Sequence, residues 1–427
     1  MSATSSATAI RRNPLAQGWR GRAAVAALVA AALALFATAA RSDPAALGWL
    51  RAHRWLAALG LFGGTLAALA ATYVALRRRD PSRAELVVRA THVVPIVAQV
   101  ILFSYWTAYW PQLGRWLPFL FALVAFALAT DATMSWIVRH RLVLGFGPVP
   151  ITLGMHLFAQ FSPVDWHAPA AMLLLAIGSK ALVSRDGHPL VNPSAFGLAC
   201  VGAATLVAPA VGYGDVAFRF NLPPSMTELI LLVTLLPQIR QPIVLVSIGA
   251  FLGNELTHYA FGFSEFRAAW APVTLGLALF ATDPATTPRR NPGRLLFGVA
   301  YGVAMVSLAH ALEASGRSDF YAKVIPIPLL NVLAPTFDRL GDALVAARPR
   351  LARALEPRWN LAHIAAWVLV ITLGLVGQKE RTFLADQHTT EQTRGVRRDA
   401  RGEITCELNR PWCRPWDIGG EIATWVR

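Results

Sequence analysis

Residues 116–132 read WLPFLFALVAFALATDA, a run that carries no charge until Asp131 near its end. A helix of about 20 such residues crosses the hydrocarbon core of a bilayer, which is about 30 Å thick. The side chains do not alternate between apolar and polar, as they do in the strands of a membrane barrel. Because lipid offers the backbone no hydrogen-bond partner, a run of this kind must be helical. The stretch therefore predicts a transmembrane helix.

Comparable apolar runs recur along the whole chain. Of its 427 residues, 55% are hydrophobic and 15% are charged, whereas a soluble protein carries about 25% charged residues. We therefore predict an all-α fold, a polytopic bundle of about thirteen transmembrane helices. The runs lie near residues 22–40, 55–76, 92–110, 116–132, 144–161, 167–183, 193–210, 226–239, 241–257, 268–282, 295–314, 323–337 and 359–377.

Some of these runs allow a second interpretation. Run 22–40 follows several arginines and is rich in alanine and leucine, so it also suits a secretory signal peptide. Runs 226–239 and 241–257 are divided only by a short polar stretch. They fit either two helices or one broken or re-entrant element, because irregular backbone is tolerated inside a membrane protein.

The net charge of +15 comes from arginines in short loops between the apolar runs. Positively charged short loops stay on the cytoplasmic side of a membrane. Their alternation with charge-poor loops predicts a cytoplasmic N-terminus and a polar tail, from residue 378, on the periplasmic side; loop 41–54 is the exception. The arginines form no single patch, so we expect no nucleic acid as a partner. The basic loops are 77–89, 133–143, 180–190, 283–294 and 338–358.

Two stretches place an asparagine at or inside an apolar run. In DGHPLVNPSAFG at 186–197, Asn192 suits the cap of a helix and Pro193 suits its first position. In LLNVLAPTFD at 329–338, Asn331 must find a hydrogen-bond partner within the bundle. A bond between helices is sufficient to explain Asn331, and so is a contact with a cofactor.

A third stretch, FATDPATTP at 280–288, is followed by GRLLFG at 293–298. A carboxylate at the end of a membrane helix must be hydrated, paired or hydrogen-bonded. Asp283 therefore either accepts backbone N–H groups in an Asx-type turn or pairs with Arg294. A turn that supports the fold and a turn that supports a cofactor fit this pattern equally well.

Taken in their order along the chain, the three stretches resemble the D subunit of Rnf and the B subunit of Nqr, which are membrane subunits of flavin-dependent electron-transport complexes. The resemblance covers a ten-helix core at residues 90–342. It implies a subunit in the bacterial inner membrane that passes electrons across or along the membrane, with ion movement coupled to it. Its partners would be redox subunits with FMN-binding or iron–sulfur domains. Outside the core lie 1–89 with two extra helices, 343–377 with a basic linker and a last helix, and the tail 378–427.

The resemblance also implies a flavin. The family attaches FMN to a threonine in the outer loop after the Asn-Pro helix, but loop 211–225 contains no threonine, so we expect no covalent FMN. We expect instead non-covalent riboflavin or FMN, although Pro189 replaces one of the asparagines that contact it in the family. We predict neither a catalytic residue nor a metal site, and the candidate cofactor-binding residues are Asn192, Thr282, Asp283, Thr286 and Asn331.

Two other functions remain open, and the tail carries one further prediction. A transporter or ion-conducting subunit would use broken helices to build a site for its substrate. A scaffold without cofactors would only anchor redox partners. In the tail, Cys406 and Cys413 predict a disulfide if the compartment is oxidising.

Overall fold

The computed structural model describes residues 54–109, 111–114, 117–159, 167–185, 188–207, 226–240, 242–261, 276–315, 317, 319–377, 396–398 and 404–406. The predicted helix at 22–40 and Cys413 lie outside these residues, so the signal-peptide alternative and the disulfide stay predictions. The described part is a bundle of apolar helices. The predicted all-α membrane fold is confirmed.

The helices are α1 Arg54–Arg79, α2 Ala90–Tyr109, α3 Pro111–Gly114, α4 Leu117–Arg139, α5 Pro148–Phe158, α6 His167–Leu182, α7 Pro193–Val207, α8 Met226–Arg240, α9 Val244–Ala260, α10 Asn291–Ala314, α11 Pro326–Val332, α12 Ala334–Ala347, α13 Pro349–Ala354 and α14 Asn360–Gly377. The strands are β1 Ala84–Val87, β2 Leu142–Gly145, β3 Ser184–Arg185, β4 His188–Pro189, β5 Val396–Arg398 and β6 Ile404–Cys406. Short 3-10 helices at Pro81–Arg83, Phe320–Lys323 and Pro357–Trp359, and a π-helical turn at Gly276–Phe280, complete the described elements.

Among the described residues, three helical stretches are long and apolar enough to cross a bilayer: Leu59–Arg79, Leu117–Arg139 and Asn291–Ala314. A fourth crossing is counted if Phe320–Val332 and Ala334–Ala347, which are bent by 74° to each other, form one span. Several further apolar helices are shorter. Helix α5 has only 11 residues, about half of the length that a straight crossing needs.

Helices α9 and α10 make the most extensive helix–helix contact of the described bundle. A Cβ atom added at Gly253 would lie 2.2 Å from the carbonyl oxygen of Val299, and one added at Gly302 would lie 2.2 Å from that of Ala250. Gly249 and Gly298 stand equally close to the opposite backbone. Each helix therefore carries glycines four positions apart, the small-xxx-small pattern that lets membrane helices approach closely.

The basic loops at 77–89 and 133–143 meet at one end of the bundle. Strand β1 pairs in parallel with β2, from Ala84 opposite Leu142 to Val87 opposite Gly145. Near the same end, Lys180 Nζ lies 2.8 Å from Asp131 Oδ1. Helices α1 and α4 therefore end on the same side, as the alternation of basic loops predicts. The strands themselves were not predicted, because four-residue pairs in a loop leave no periodic pattern.

The basic loops at 283–294 and 338–358 also meet. The Asp338 carboxylate accepts hydrogen bonds from the backbone N–H groups of Arg289 (3.1 Å) and Arg290 (2.9 Å), just before α10 begins. Asn291 Nδ2 donates to the carbonyl oxygen of Leu355 at 2.7 Å. The start of α10 is thus held by the segment that follows α11.

We expect Asp338→Ala to destabilise the protein by about 1–2 kcal/mol, because it removes the acceptor of two backbone N–H groups beside a helix start. The measurement is the midpoint of thermal unfolding in detergent. Asp338→Asn keeps one acceptor oxygen and should lose less. Equal midpoints for the wild type and Asp338→Ala would contradict the expectation.

Run 323–337, predicted as one apolar helix, is interrupted by a bend, and the two helices on either side of the bend can still form one broken span. Helix α11 ends at Val332, and α12 begins at Ala334 after the 74° bend and continues to Ala347. The reason is that α12 is amphipathic and packs across the start of α10, where a Cβ on Gly341 would lie 2.6 Å from Gly293 N. By contrast, runs 226–239 and 241–257 form two helices, α8 and α9.

Candidate functional site

Asn192 starts helix α7 as its sequence predicts. Its Oδ1 accepts a hydrogen bond from Ala195 N at 3.0 Å, which is the arrangement of a side-chain helix cap. Pro193 follows at the first helical position, where its missing N–H costs nothing. The cap fixes the direction of the Asn192 side chain at the end of the bundle.

Asn331 on α11 joins the other two stretches to Asn192. Its Oδ1 accepts from Asn192 N at 2.9 Å, across 139 positions of the chain, and its Nδ2 donates to the carbonyl oxygen of Thr286 at 3.1 Å. Asn192 Nδ2 donates in turn to the carbonyl oxygen of Phe280, 88 positions away, at 3.1 Å. Three stretches that are far apart in sequence therefore form one hydrogen-bonded group, which we call the asparagine cluster (Asn192, Asn331 and turn 280–287).

Asp283 forms the Asx-type turn. Its carboxylate accepts from Ala285 N at 3.0 Å and from Thr286 Oγ1 at 3.1 Å. Burial raises the pKa of the Asp283 carboxyl, and these two hydrogen bonds act in the opposite direction. Arg294, the other partner considered, donates instead to the carbonyl oxygens of Pro288 and Pro242.

All five predicted residues lie in or directly beside the asparagine cluster. Asn192, Asn331, Thr282 and Thr286 are buried, and Asp283 is partly buried. Thr287, which was not predicted, is also buried, and its Oγ1 has no hydrogen-bond partner among the described residues. The sequence could have indicated Thr287 as a further site residue, because it is a hydroxyl residue that directly follows Thr286 in the same turn.

The cluster combines neutral amides and hydroxyls with a single carboxylate. Each asparagine uses one N–H and its oxygen on the protein, and an amide nitrogen carries a second N–H. The cluster therefore ties α7, α11 and the turn together, and it retains donors for a small polar partner. Among the described residues, no group of three or more His, Cys, Asp and Glu side chains could hold a metal ion.

One buried ion pair was not predicted from the sequence. Lys323 is 6% exposed, and its Nζ lies 2.8 Å from Asp319 Oδ2. The Lys323 carbonyl oxygen accepts from Tyr301 Oη, on α10, at 2.6 Å. The pair was missed because Lys323 stands at the first position of run 323–337, where a charged residue usually only marks the end of a helix. The sequence did contain a signal for the pair, because Asp319 lies four positions before Lys323.

Comparison with known proteins finds a similarity over part of the chain. No family model matches the chain. Over 118 residues it is 29% identical to the D subunit of the ion-translocating oxidoreductase complex of Stutzerimonas stutzeri. The match covers 25% of this chain and 32% of that protein, so the chain spans about a third of its relative. It points to the Rnf D family that the three stretches also resemble, over a small part of the molecule.

Proposed function

We propose that this chain is the membrane subunit of a multi-subunit oxidoreductase complex, which passes electrons across or along the membrane and couples them to ion movement. The observation that carries the proposal is the asparagine cluster, because it joins the three stretches of family resemblance in one place. The likeness to a subunit of an ion-translocating oxidoreductase supports the same class.

A non-covalent flavin beside the asparagine cluster is part of this proposal. A flavin needs a mostly apolar pocket with a few polar groups. Aromatic side chains next to the cluster make the surroundings apolar: Phe158, Phe280 and Phe320 are buried, and the ring centroids of Phe158 and Phe280 are 5.4 Å apart and those of Phe158 and Phe320 are 4.6 Å apart. The second N–H groups of Asn192 and Asn331 and the hydroxyl of Thr287 supply hydrogen bonds.

These residues fit a flavin in their chemistry, and the buried Thr287 hydroxyl is the group that favours one. A bound flavin would supply the electron transfer, while this chain would hold and orient the ring and shield it from water. The amides are already committed to the protein by one N–H each. Their role toward a flavin is therefore to position its polar edge, and they move no proton themselves.

The test is an absorption and fluorescence spectrum of the purified chain before and after acid precipitation. We expect a flavin that is released into the supernatant. Asn192→Ser keeps a side-chain helix cap but removes the amide N–H groups, and it should lower flavin content several-fold. Ser194→Ala, in the first turn of the same helix, is the matched control and should retain flavin.

Two outcomes would contradict the flavin proposal. A folded wild-type chain that contains no flavin would remove the flavin proposal and leave the cofactor-free scaffold and the ion-conducting or transporting subunit. A flavin that stays in the precipitate would be covalently attached. Loss of flavin in both variants would show only a damaged helix start, so the thermal midpoint of each variant is measured in parallel.

A second candidate function, an ion-conducting or transporting subunit, is favoured by the Lys323–Asp319 pair. Charged residues within a membrane bundle usually mark ion or proton pathways. The segment that carries the pair is irregular, with a 3-10 helix at Phe320–Lys323 and a bend after Val332, as in transporters with broken helices. If electron transfer drives the ion movement, the electron-transport subunit and the ion-conducting subunit are the same protein.

We further propose that the chain lies in a bacterial inner membrane with its N-terminus in the cytoplasm and its tail in the periplasm. The support is that the basic loops gather: 77–89 meets 133–143, and 283–294 meets 338–358. Basic loops are retained on the cytoplasmic side. The partners would be redox subunits with FMN-binding or iron–sulfur domains.

A further inference from the structure

An open pocket of about 470 Å³ lies where α1 and α4 end, apart from the asparagine cluster. The 3-10 helix Pro81–Arg83 follows α1 at this point, and the pairing of β1 with β2 holds the two loops together. The pocket is rich in cationic groups, and its walls include Ser82, Arg83, Trp136, Arg139, His140 and Arg141.

His140 has the backbone conformation of a glycine. Its φ is 54°, and its N–H donates to the carbonyl oxygen of Trp136 at 3.0 Å, which closes the last turn of α4. The residue after a helix that adopts this left-handed conformation is usually glycine. A histidine in this conformation costs free energy, and such costs concentrate at ligand sites. Unlike a glycine, His140 adds an imidazole to the wall of the pocket.

The carboxylates near the pocket do not neutralise it. Asp80, also in the wall, accepts from Ser82 N (3.0 Å), Ser82 Oγ (2.6 Å) and Arg83 Nε (3.0 Å). These contacts, with Ser82 first, lower the pKa of the Asp80 carboxyl. Glu85 lies 3.8 Å from Arg141, a distance at which the pair is weak.

Most arginine donors therefore remain for a ligand. Each guanidinium carries five N–H groups, and Arg83 uses one of them on Asp80. Across the described residues, the side chain of Arg139 has no hydrogen bond or ion pair. Arginines arranged around a hydroxyl suit a phosphate group, because planar guanidinium forks match phosphate oxygens.

The surroundings identify the source of the phosphate. Trp136, in the wall of the pocket, is 40% exposed. Leu86 on β1 is 58% exposed and Phe146, which follows β2, is 48% exposed, so the strand pair that joins the two loops also presents apolar side chains. Tryptophan beside arginine at the end of a spanning helix is typical of the headgroup level of a membrane. A soluble phosphate would make no use of the apolar rim, whereas the acyl chains of a lipid would cover it.

We propose that this pocket, formed by Ser82, Arg83, Arg139, His140 and Arg141, binds the phosphate headgroup of an anionic phospholipid. The lipid would join the ends of α1 and α4 and fix α1 against the rest of the bundle. The site requires only that α1 and α4 span the membrane. It is independent of the proposed redox function.

The test uses the full-length chain in nanodiscs of phosphatidylcholine with and without phosphatidylglycerol, and native mass spectrometry counts the lipids retained after release. We expect wild-type protein to retain phosphatidylglycerol. The double variant Arg139→Gln/Arg141→Gln should retain about ten-fold less, because each arginine near an anionic lipid contributes several-fold to binding. His140→Gly suits the left-handed backbone, so it should fold normally and also retain less lipid.

Arg353→Gln is the matched control, because Arg353 is exposed in the other group of basic loops. It should retain as much phosphatidylglycerol as the wild type. Equal retention by the double variant, or equal retention of phosphatidylcholine, would overturn the proposal. Displacement of the lipid by soluble glycerol phosphate at similar concentration would assign the site to a free anion and would also overturn it.

Discussion

Gly302→Ala is expected to destabilise the protein by about 3 kcal/mol, the upper end of the usual cost of overpacking. The new Cβ would lie 2.2 Å from the carbonyl oxygen of Ala250 and 2.5 Å from Asn254 N. Both atoms belong to the backbone of α9, so no side-chain rotation relieves the clash. Helices α9 and α10 would have to separate along their whole contact.

The midpoint of thermal unfolding in detergent measures this effect, together with the fraction that elutes as a single species. Gly178→Ala on α6 is the matched control, because no atom of the part of the chain that the structure describes lies within 4 Å of its added Cβ. That variant should melt at or slightly above the wild-type midpoint, since alanine favours a helix over glycine. Equal midpoints for the two variants would show that α9 and α10 are not in close contact.

Asn331→Leu is expected to cost about 2–4 kcal/mol, because it leaves the N–H of Asn192 and the carbonyl of Thr286 without their partner inside the bundle. Both groups are now satisfied by the Asn331 side chain. The loss would separate α7, α11 and the turn at 280–287. The proposed flavin would be lost with them.

The control for Asn331→Leu is the neighbouring Val332→Ala, which shortens a side chain that is 59% exposed. Its midpoint and flavin content should remain close to those of the wild type. If Asn331→Leu melts as the wild type does, the asparagine cluster does not hold the three segments together. The proposed function would then lose the observation that carries it.

The features that depend on residues close together in the sequence could be predicted from it. The apolar runs predicted the helical bundle, because a backbone in lipid has no alternative to a helix or a closed barrel. Asn192 and Pro193 predicted a helix start, since a cap depends on residues three positions apart. The Asx-type turn of Asp283 was one of the two predicted alternatives. It was predictable because the groups that bond to the Asp283 carboxylate lie only two and three positions away in the sequence.

Contacts across the chain were beyond prediction from one sequence. The bond between Asn192 and Asn331 joins positions 139 apart, and hydrophobicity alone does not specify which helices meet. The break after Val332 arises because α12 packs on the start of α10, which is a tertiary contact. The glycines at 249, 253, 298 and 302 were a visible signal, and their four-residue spacing predicts close approach without naming the partner helix.

The most direct measurement of the central claim is the composition of the complex that this chain forms. The chain would be tagged, extracted from its native membranes in a mild detergent, and its bound subunits identified by mass spectrometry. We predict stoichiometric redox subunits that carry FMN-binding or iron–sulfur domains. Isolation of the folded chain alone, or only with further copies of itself, would contradict its assignment as a subunit of an oxidoreductase complex.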